Sequence, residues 1–201
     1  NRENRERHRE NDDYQNNVEN ESVKELNNDV EIITEDIKSI ELTPEEIQRR
    51  EDVQQPIETF DDLSSQIDLK IIRGVMSYGF EFPSEIQKKA IKPLLSGYDV
   101  IAQAQSGTGK TAAFCIGTLG NINFEKNETQ AIVMAHTLEL AQQIEFVFQN
   151  ICKYADVRIG LAIRSIPVKE NIDLLNGTMN SDNLLPHIVI GTPGRVLDML
   201  N

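Results

Sequence analysis

From Phe60 onward the apolar residues of the chain follow two periods in turn. Leu69, Ile72, Val75 and Met76 recur at helical spacing, and the stretch from Gly79 to Ser84 interrupts them. Pro83 and Ser84 then open a second helix through Ile86, Ala90, Ile91, Leu94 and Leu95, which Ser96 and Gly97 close. Four short apolar runs, Val100 to Ala102, Ala131 to Ala135, Arg158 to Ile163 and His187 to Gly191, have the length and composition of buried strands. Helical patterns lie between them at Thr111 to Leu119, Glu139 to Tyr154 and around Lys169 to Leu175, while Asn121 to Thr129 and Asn176 to Leu185 are polar connections. Strands alternating with helices need crossover connections, so the pattern predicts an α/β fold with a parallel sheet covered by helices on both faces. In such a sheet the loops at the carboxyl ends of the strands make the ligand crevice.

Ahead of residue 56 this pattern lapses. Residues 1–55 carry 8 Lys/Arg against 17 Asp/Glu, a net of −9, whereas residues 56–201 carry 12 against 16, a net of −4. The acidity of the chain is therefore mostly a property of a tail rich in Asn, Glu and Asp. With Tyr14 as its one aromatic residue, it has too little apolar surface to offset the entropy of ordering. The expected organisation is a disordered acidic tail over residues 1–55 and a single domain over 56–201. Within the tail a short helix is expected near Pro44 to Glu51, with Thr43 as N-cap and Glu46 completing a capping box. A net charge of −13 argues against nonspecific nucleic-acid binding by the chain as a whole but leaves room for a local basic site. Cys115 and Cys152 lack metal-type spacing and read as small core residues, and His8, His136 and His187 form no ligand cluster. No apolar stretch is long enough to span a bilayer and no signal-peptide core opens the chain, so an intracellular protein with no membrane role is expected.

The chemistry concentrates in Ala104, Gln105, Ser106, Gly107, Thr108, Gly109, Lys110 and Thr111, directly after a strand-like run and directly before a helix. Gly107 and Gly109 let the main chain turn so that successive amides point at one place, and the dipole of the following helix adds partial positive charge there. Lys110 supplies a full charge to the β and γ phosphates of a nucleotide, and Thr111 offers its hydroxyl to Mg2+. The general phosphate-loop pattern has Gly where this chain has Ala104, a substitution that a smaller group of such loops tolerates. Upstream, the segment GFEFPSEIQ from Gly79 to Gln87 supplies base choice: Phe80 can stack on a base, and the Gln87 amide can both donate to and accept from one edge of adenine.

In this order GFEFPSEIQ, AQSGTGKT and GTPGR resemble the Q motif, motif I and motif Ib of DEAD-box RNA helicases. FDDL at Phe60 to Leu63, AQAQSGTGKTAAF and HIVIGTPGRVLDML are similar to the branch of eukaryotic translation initiation factor 4A, and the likeness covers about Phe60 to Asn201. It implies the first of two RecA-like domains of an ATPase that clamps and locally unwinds RNA, with ATP and Mg2+ as cofactors. It also implies RNA, and a translation-initiation or RNA-processing scaffold protein, as partners of a monomer in the cytoplasm or nucleus. By the same likeness Phe80 stacks on adenine, Gln87 reads its edge, Ser106 to Thr111 hold the phosphates, and Thr192, Pro193, Gly194 and Arg195 meet the RNA backbone.

Two departures fall on the RNA side. Where the family continues a strand as Pro-Thr-Arg-Glu-Leu-Ala, this chain has His136-Thr137-Leu138-Glu139-Leu140-Ala141, which keeps Thr137 and loses the arginine. The family's paired glycines after the next strand appear as Arg164-Ser165, and Arg164 either replaces the missing charge or fills the groove. The resemblance also puts the Asp-Glu-Ala-Asp strand, the Ser-Ala-Thr segment and the whole second domain beyond Asn201. These 201 residues alone are thus expected to bind ATP weakly and to turn it over negligibly. The competing expectation is a nucleotide- or partner-binding module that has lost RNA clamping.

Overall fold

The structure, a computed structural model, describes residues 32–33, 53, 55–179 and 181–200. The expected tail disorder and the expected helix near Pro44 to Glu51 lie outside the described residues, apart from a two-residue strand β1 (Ile32–Ile33). A 3-10 turn (Phe60–Leu63) is followed by α1 (Leu69–Ser77), α2 (Glu85–Leu95), β2 (Ile101–Ala102), α3 (Lys110–Asn121) and β3 (Ala131–Met134). Then come α4 (Leu138–Ile151), β4 (Ile159–Ala162), α5 (Val168–Leu175), β5 (Ile188–Gly191) and α6 (Pro193–Leu200). Each helix and strand expected downstream of residue 60 is therefore present, with ends that shift by a few residues.

Strands β3, β5 and β4 pair in that order, both pairs parallel, and β5 at the centre is buried along its whole length. Alternation along β5 separates two apolar layers, because successive side chains leave opposite faces of a sheet. Ile188 and Ile190 enter the main core with Ile71, Ile91, Ile116, Phe148 and Ile151 from α1 to α4. Val189 instead joins Ala162 and Val196 beneath α5 and α6. Helices thus cover both faces, as the pattern required. Each fully buried isoleucine or phenylalanine here contributes about 1.5–3 kcal/mol. Close approach of α1 to the last turn of α4 depends on Gly74, where a Cβ would lie 1.7 Å from the Ile151 carbonyl oxygen.

Burial pushes the Cys152 thiol up to about 11 and the Cys115 thiol higher still, which agrees with inert core cysteines. One expectation needs correction. The run Val100 to Ala102 is not a buried member of the parallel sheet: β2 has two residues, Ile101 is 63% exposed, and its hydrogen-bonded partner is β1, antiparallel. Burial of a strand takes neighbours on both edges and cover on both faces. Among the described residues β2 has β1 on one edge, and the apolar composition that suggested burial is not matched by packing.

Candidate phosphate-loop site and the turns beside it

Gly107 (φ +85°) and Gly109 (φ +93°) both lie in the left-handed region, which a side chain disfavours and glycine accepts. Gly109 is the residue that caps α3, so the first free amides of that helix face the loop. The Lys110 Nζ donates to the carbonyl oxygens of Ala104 and Gln105, which folds the side chain back over the loop instead of out to solvent. Inside the loop the Thr108 hydroxyl donates to the Gln105 carbonyl at 2.9 Å. Thr111, the second residue of α3, is half-buried.

A second element braces the loop from outside. At the start of α2 the Ser84 hydroxyl donates to the Thr108 carbonyl at 2.8 Å, and the Gln87 amide nitrogen donates to the Gly109 carbonyl at 3.2 Å. The Gln87 amide oxygen accepts from the Ser84 main-chain N–H at 2.9 Å. Gln87 is 2% exposed, so a primary amide buried at the loop is satisfied at both ends. A Cβ on Gly109 would lie 2.5 Å from that amide nitrogen, which gives the glycine a steric as well as a conformational reason. Phe80 is half-buried against the core, with its ring 5.1 Å from that of Tyr78 in an edge-to-face arrangement. Sequence reasoning passed over Phe82, which is 74% exposed immediately before the Pro83–Ser84 helix start. Its signal was available: in GFEFP the second aromatic stands between an acid and a proline.

The turns after β3, β4 and β5 gather the remaining residues. Thr137 caps α4, its hydroxyl accepting from the Leu140 N–H at 3.2 Å, and Leu138 packs partly buried against the main core. Leu138 is therefore a core contact at the position where a phosphate-binding arginine was expected. Arg164 and Ser165 are exposed at the end of β4. The Thr192 N–H donates to the Ala162 carbonyl at 3.2 Å, while Pro193 and Gly194 are exposed at the start of α6. Arg195, in contrast, is only 8% exposed. Its guanidinium turns into the fold, donating to Asn171 Oδ1 at 3.2 Å and to the Arg164 carbonyl at 3.4 Å. Asn171, 1% exposed, donates in turn to the Leu161 carbonyl of β4 at 2.9 Å. It went unnoticed in the sequence, although it falls four residues before Leu175 on the helix face that packs inward.

A model of the DEAD/DEAH box helicase family matches residues 84–201. Among solved structures, a DEAD box protein from the hyperthermophile Methanococcus jannaschii is similar at 30% identity and a TM-score of 0.62, over 73% of this chain and 38% of that one. S. cerevisiae Dbp5 bound to RNA and ADP BeF3 is similar at 33% identity and a TM-score of 0.57, over 72% of this chain and 34% of that one. A Dbp5 variant bound to Gle1 and IP6 matches at 30% identity and a TM-score of 0.55, over 72% of this chain and 34% of that one. The chain thus spans about a third of the length of the solved proteins it matches.

Proposed function

This chain belongs to the DEAD/DEAH box helicase family, and from that premise we propose that it is the nucleotide-binding part of an ATP-dependent RNA helicase of the initiation factor 4A type. The observation that carries the reading is the braced loop: two left-handed glycines, the amino end of α3, and Lys110 folded over a loop that α2 grips through Ser84 and Gln87. A polyanion entering that loop exchanges the lysine's contacts with two neutral carbonyls for contacts with anionic phosphate oxygens, which pair charge with opposite charge. Phe80 stacks on adenine, and Gln87 reads its edge after releasing Gly109.

Thr111 would offer one hydroxyl to a Mg2+ ion carried in on the nucleotide phosphates. Among the described residues no three His, Cys, Asp or Glu side chains gather into a metal site, so the ion would be held by the phosphates and this hydroxyl, without the carboxylates it usually also takes. When bound, the ion neutralises charge on the phosphates. RNA lies across the exposed turns of Thr137, Arg164 and Thr192 to Gly194, with Arg164 replacing the arginine lost at Leu138. Alone, these residues bind ATP weakly and turn it over negligibly.

The test is RNA-stimulated ATP hydrolysis by the full gene product beside ATP-analogue binding by this chain. Saturable analogue binding with hydrolysis that rises on adding RNA is expected. Analogue binding without any stimulation at saturating RNA favours the other reading, a nucleotide-binding module that no longer clamps RNA, to which the inward-turned Arg195 and core-packed Leu138 would then belong.

A further inference from the structure

The mechanism above leaves Arg195 unused, and its setting is unusual for a cation. Among the described residues no carboxylate lies within ion-pair distance of it, and its partners are two neutral oxygens, Asn171 Oδ1 and the Arg164 carbonyl. Burying a guanidinium without a counter-charge does not favour folding, and a neutral side chain of similar shape would pack there at lower cost. What the arrangement provides is geometry. Asn171 is short and has both a donor and an acceptor, so it bonds β4 at Leu161 and α6 at Arg195 at once. Arg195 then holds the main chain of the turn at Arg164, whose side chain stays exposed. Alanine can do neither job, and aspartate cannot donate to the strand.

We infer that Asn171 is a positioning residue: through Arg195 it fixes the turn at the end of β4, so that Arg164, and not Arg195, presents positive charge to RNA. The inference rests on the RNA-binding reading above and adds to it a division of labour between two arginines. It explains how a chain lacking a glycine pair at this turn keeps the turn in one place.

Two measurements on the full chain test it. Hydrogen exchange at the Ile166 amide, which donates to the Ile163 carbonyl at 3.1 Å across the turn, reports anchoring directly. Asn171→Ala and Arg195→Met should each speed that exchange by about tenfold, as expected for loss of one net hydrogen bond to a charged group, while exchange in α3 stays unchanged. Arg195→Met keeps the apolar stem and serves as the second route should Asn171→Ala fold poorly. Binding of a uridine oligonucleotide with a non-hydrolysable ATP analogue present, across a salt series, reports the charge. Arg164→Ala should lower affinity several-fold and reduce the salt slope by about one contact, and Asn171→Ala should do the same. The double variant should be no worse than either single change, because both remove one contact. Additive loss in the double variant, or Ile166 exchange untouched by Arg195→Met, would falsify the inference. If the unaltered chain binds no RNA, the helicase reading fails, and the exchange result still decides whether Asn171 anchors the turn.

Discussion

The phosphate loop and the turns at the ends of β4 and β5 are built from different material. In the loop main-chain amides are placed by two left-handed glycines, of which Gly109 is also hemmed in by the Gln87 side chain. One lysine completes it. In the turns the main chain is held by side chains that reach across three elements, Asn171 from α5 to β4 and Arg195 from α6 to the Arg164 carbonyl. A site of the first kind is spelled by a short contiguous word, although its brace from α2 reaches as far along the chain, 24 positions from Ser84 to Thr108. A site of the second kind is fixed by residues far apart in the chain, 24 positions for Asn171 and Arg195, and its letters can change when their partners change.

The sharpest way to break that comparison is to remove the one charged side chain of the loop. Lys110→Ala should lower triphosphate affinity by about ten- to hundredfold, the weight of charge-assisted hydrogen bonds, and leave adenosine affinity nearly unchanged. Titration calorimetry with ATP analogue and with adenosine measures both, and equal binding by variant and parent would mean that the loop holds no phosphate. The next largest effect should come from the main chain. Gly109→Ala forces a side chain into φ +93° and brings its Cβ 2.5 Å from the Gln87 amide nitrogen, which as the end of a flexible side chain gives way. A strain of about 1–2 kcal/mol in the left-handed region predicts a Tm lowered by about 2–8 °C, together with weaker nucleotide binding. A calorimetric scan showing no change would mean that the loop tolerates another path.

Gln87 separates brace from reader. In the structure its amide ties the loop to α2, and in the proposed complex it faces adenine. If it reads the base, Gln87→Ala should weaken ATP by about tenfold more than GTP, a difference of the size that amide-to-adenine pairing gives. Equal losses for the two nucleotides would leave Gln87 as a brace alone and remove the adenine assignment.

The same contrast explains what was legible. Helix and strand positions from Leu69 onward followed from apolar spacing, because each element buries one face and the pattern reports that face directly. The left-handed turn at Gly107 and Gly109 was readable because backbone conformation writes a contiguous signal. Burial of β2 was misjudged since Ile101 looks the same whether or not a neighbour covers it. Arg195 carried a phosphate-facing expectation, yet its direction follows partners 24 and 31 positions away, Asn171 in α5 and the Arg164 carbonyl. Leu138 is the converse: its replacement of an arginine was visible, and the reason, packing against the core, was not.

The smallest predicted effect tests the opposite end of the same sheet, where side chains again hold the main chain. His187 at the start of β5 is fully buried, its Nδ1 accepting from the Arg158 N–H at 3.1 Å, with the Arg158 guanidinium 2.7 Å from its Nε2. Burial, and then the Arg158 charge, hold its pKa below the ordinary 6.5. As pH falls below about 6.5 the unfolded chain takes up a proton that the folded chain refuses, so stability falls through that window and levels off once the folded histidine also titrates. The slope there is at most about 1.4 kcal/mol per pH unit. At about 2–4 °C per kcal/mol, the parent should lose a few degrees of Tm between pH 7.5 and 5.5 relative to His187→Gln, which has no proton to gain at that position. Exchange measured across the same range should rise in β3, β4 and β5 before it rises in α3. Parallel pH profiles for the two proteins, or earlier loss at the phosphate loop, would show that the sheet end is not held by this histidine and that the two regions do not differ in kind.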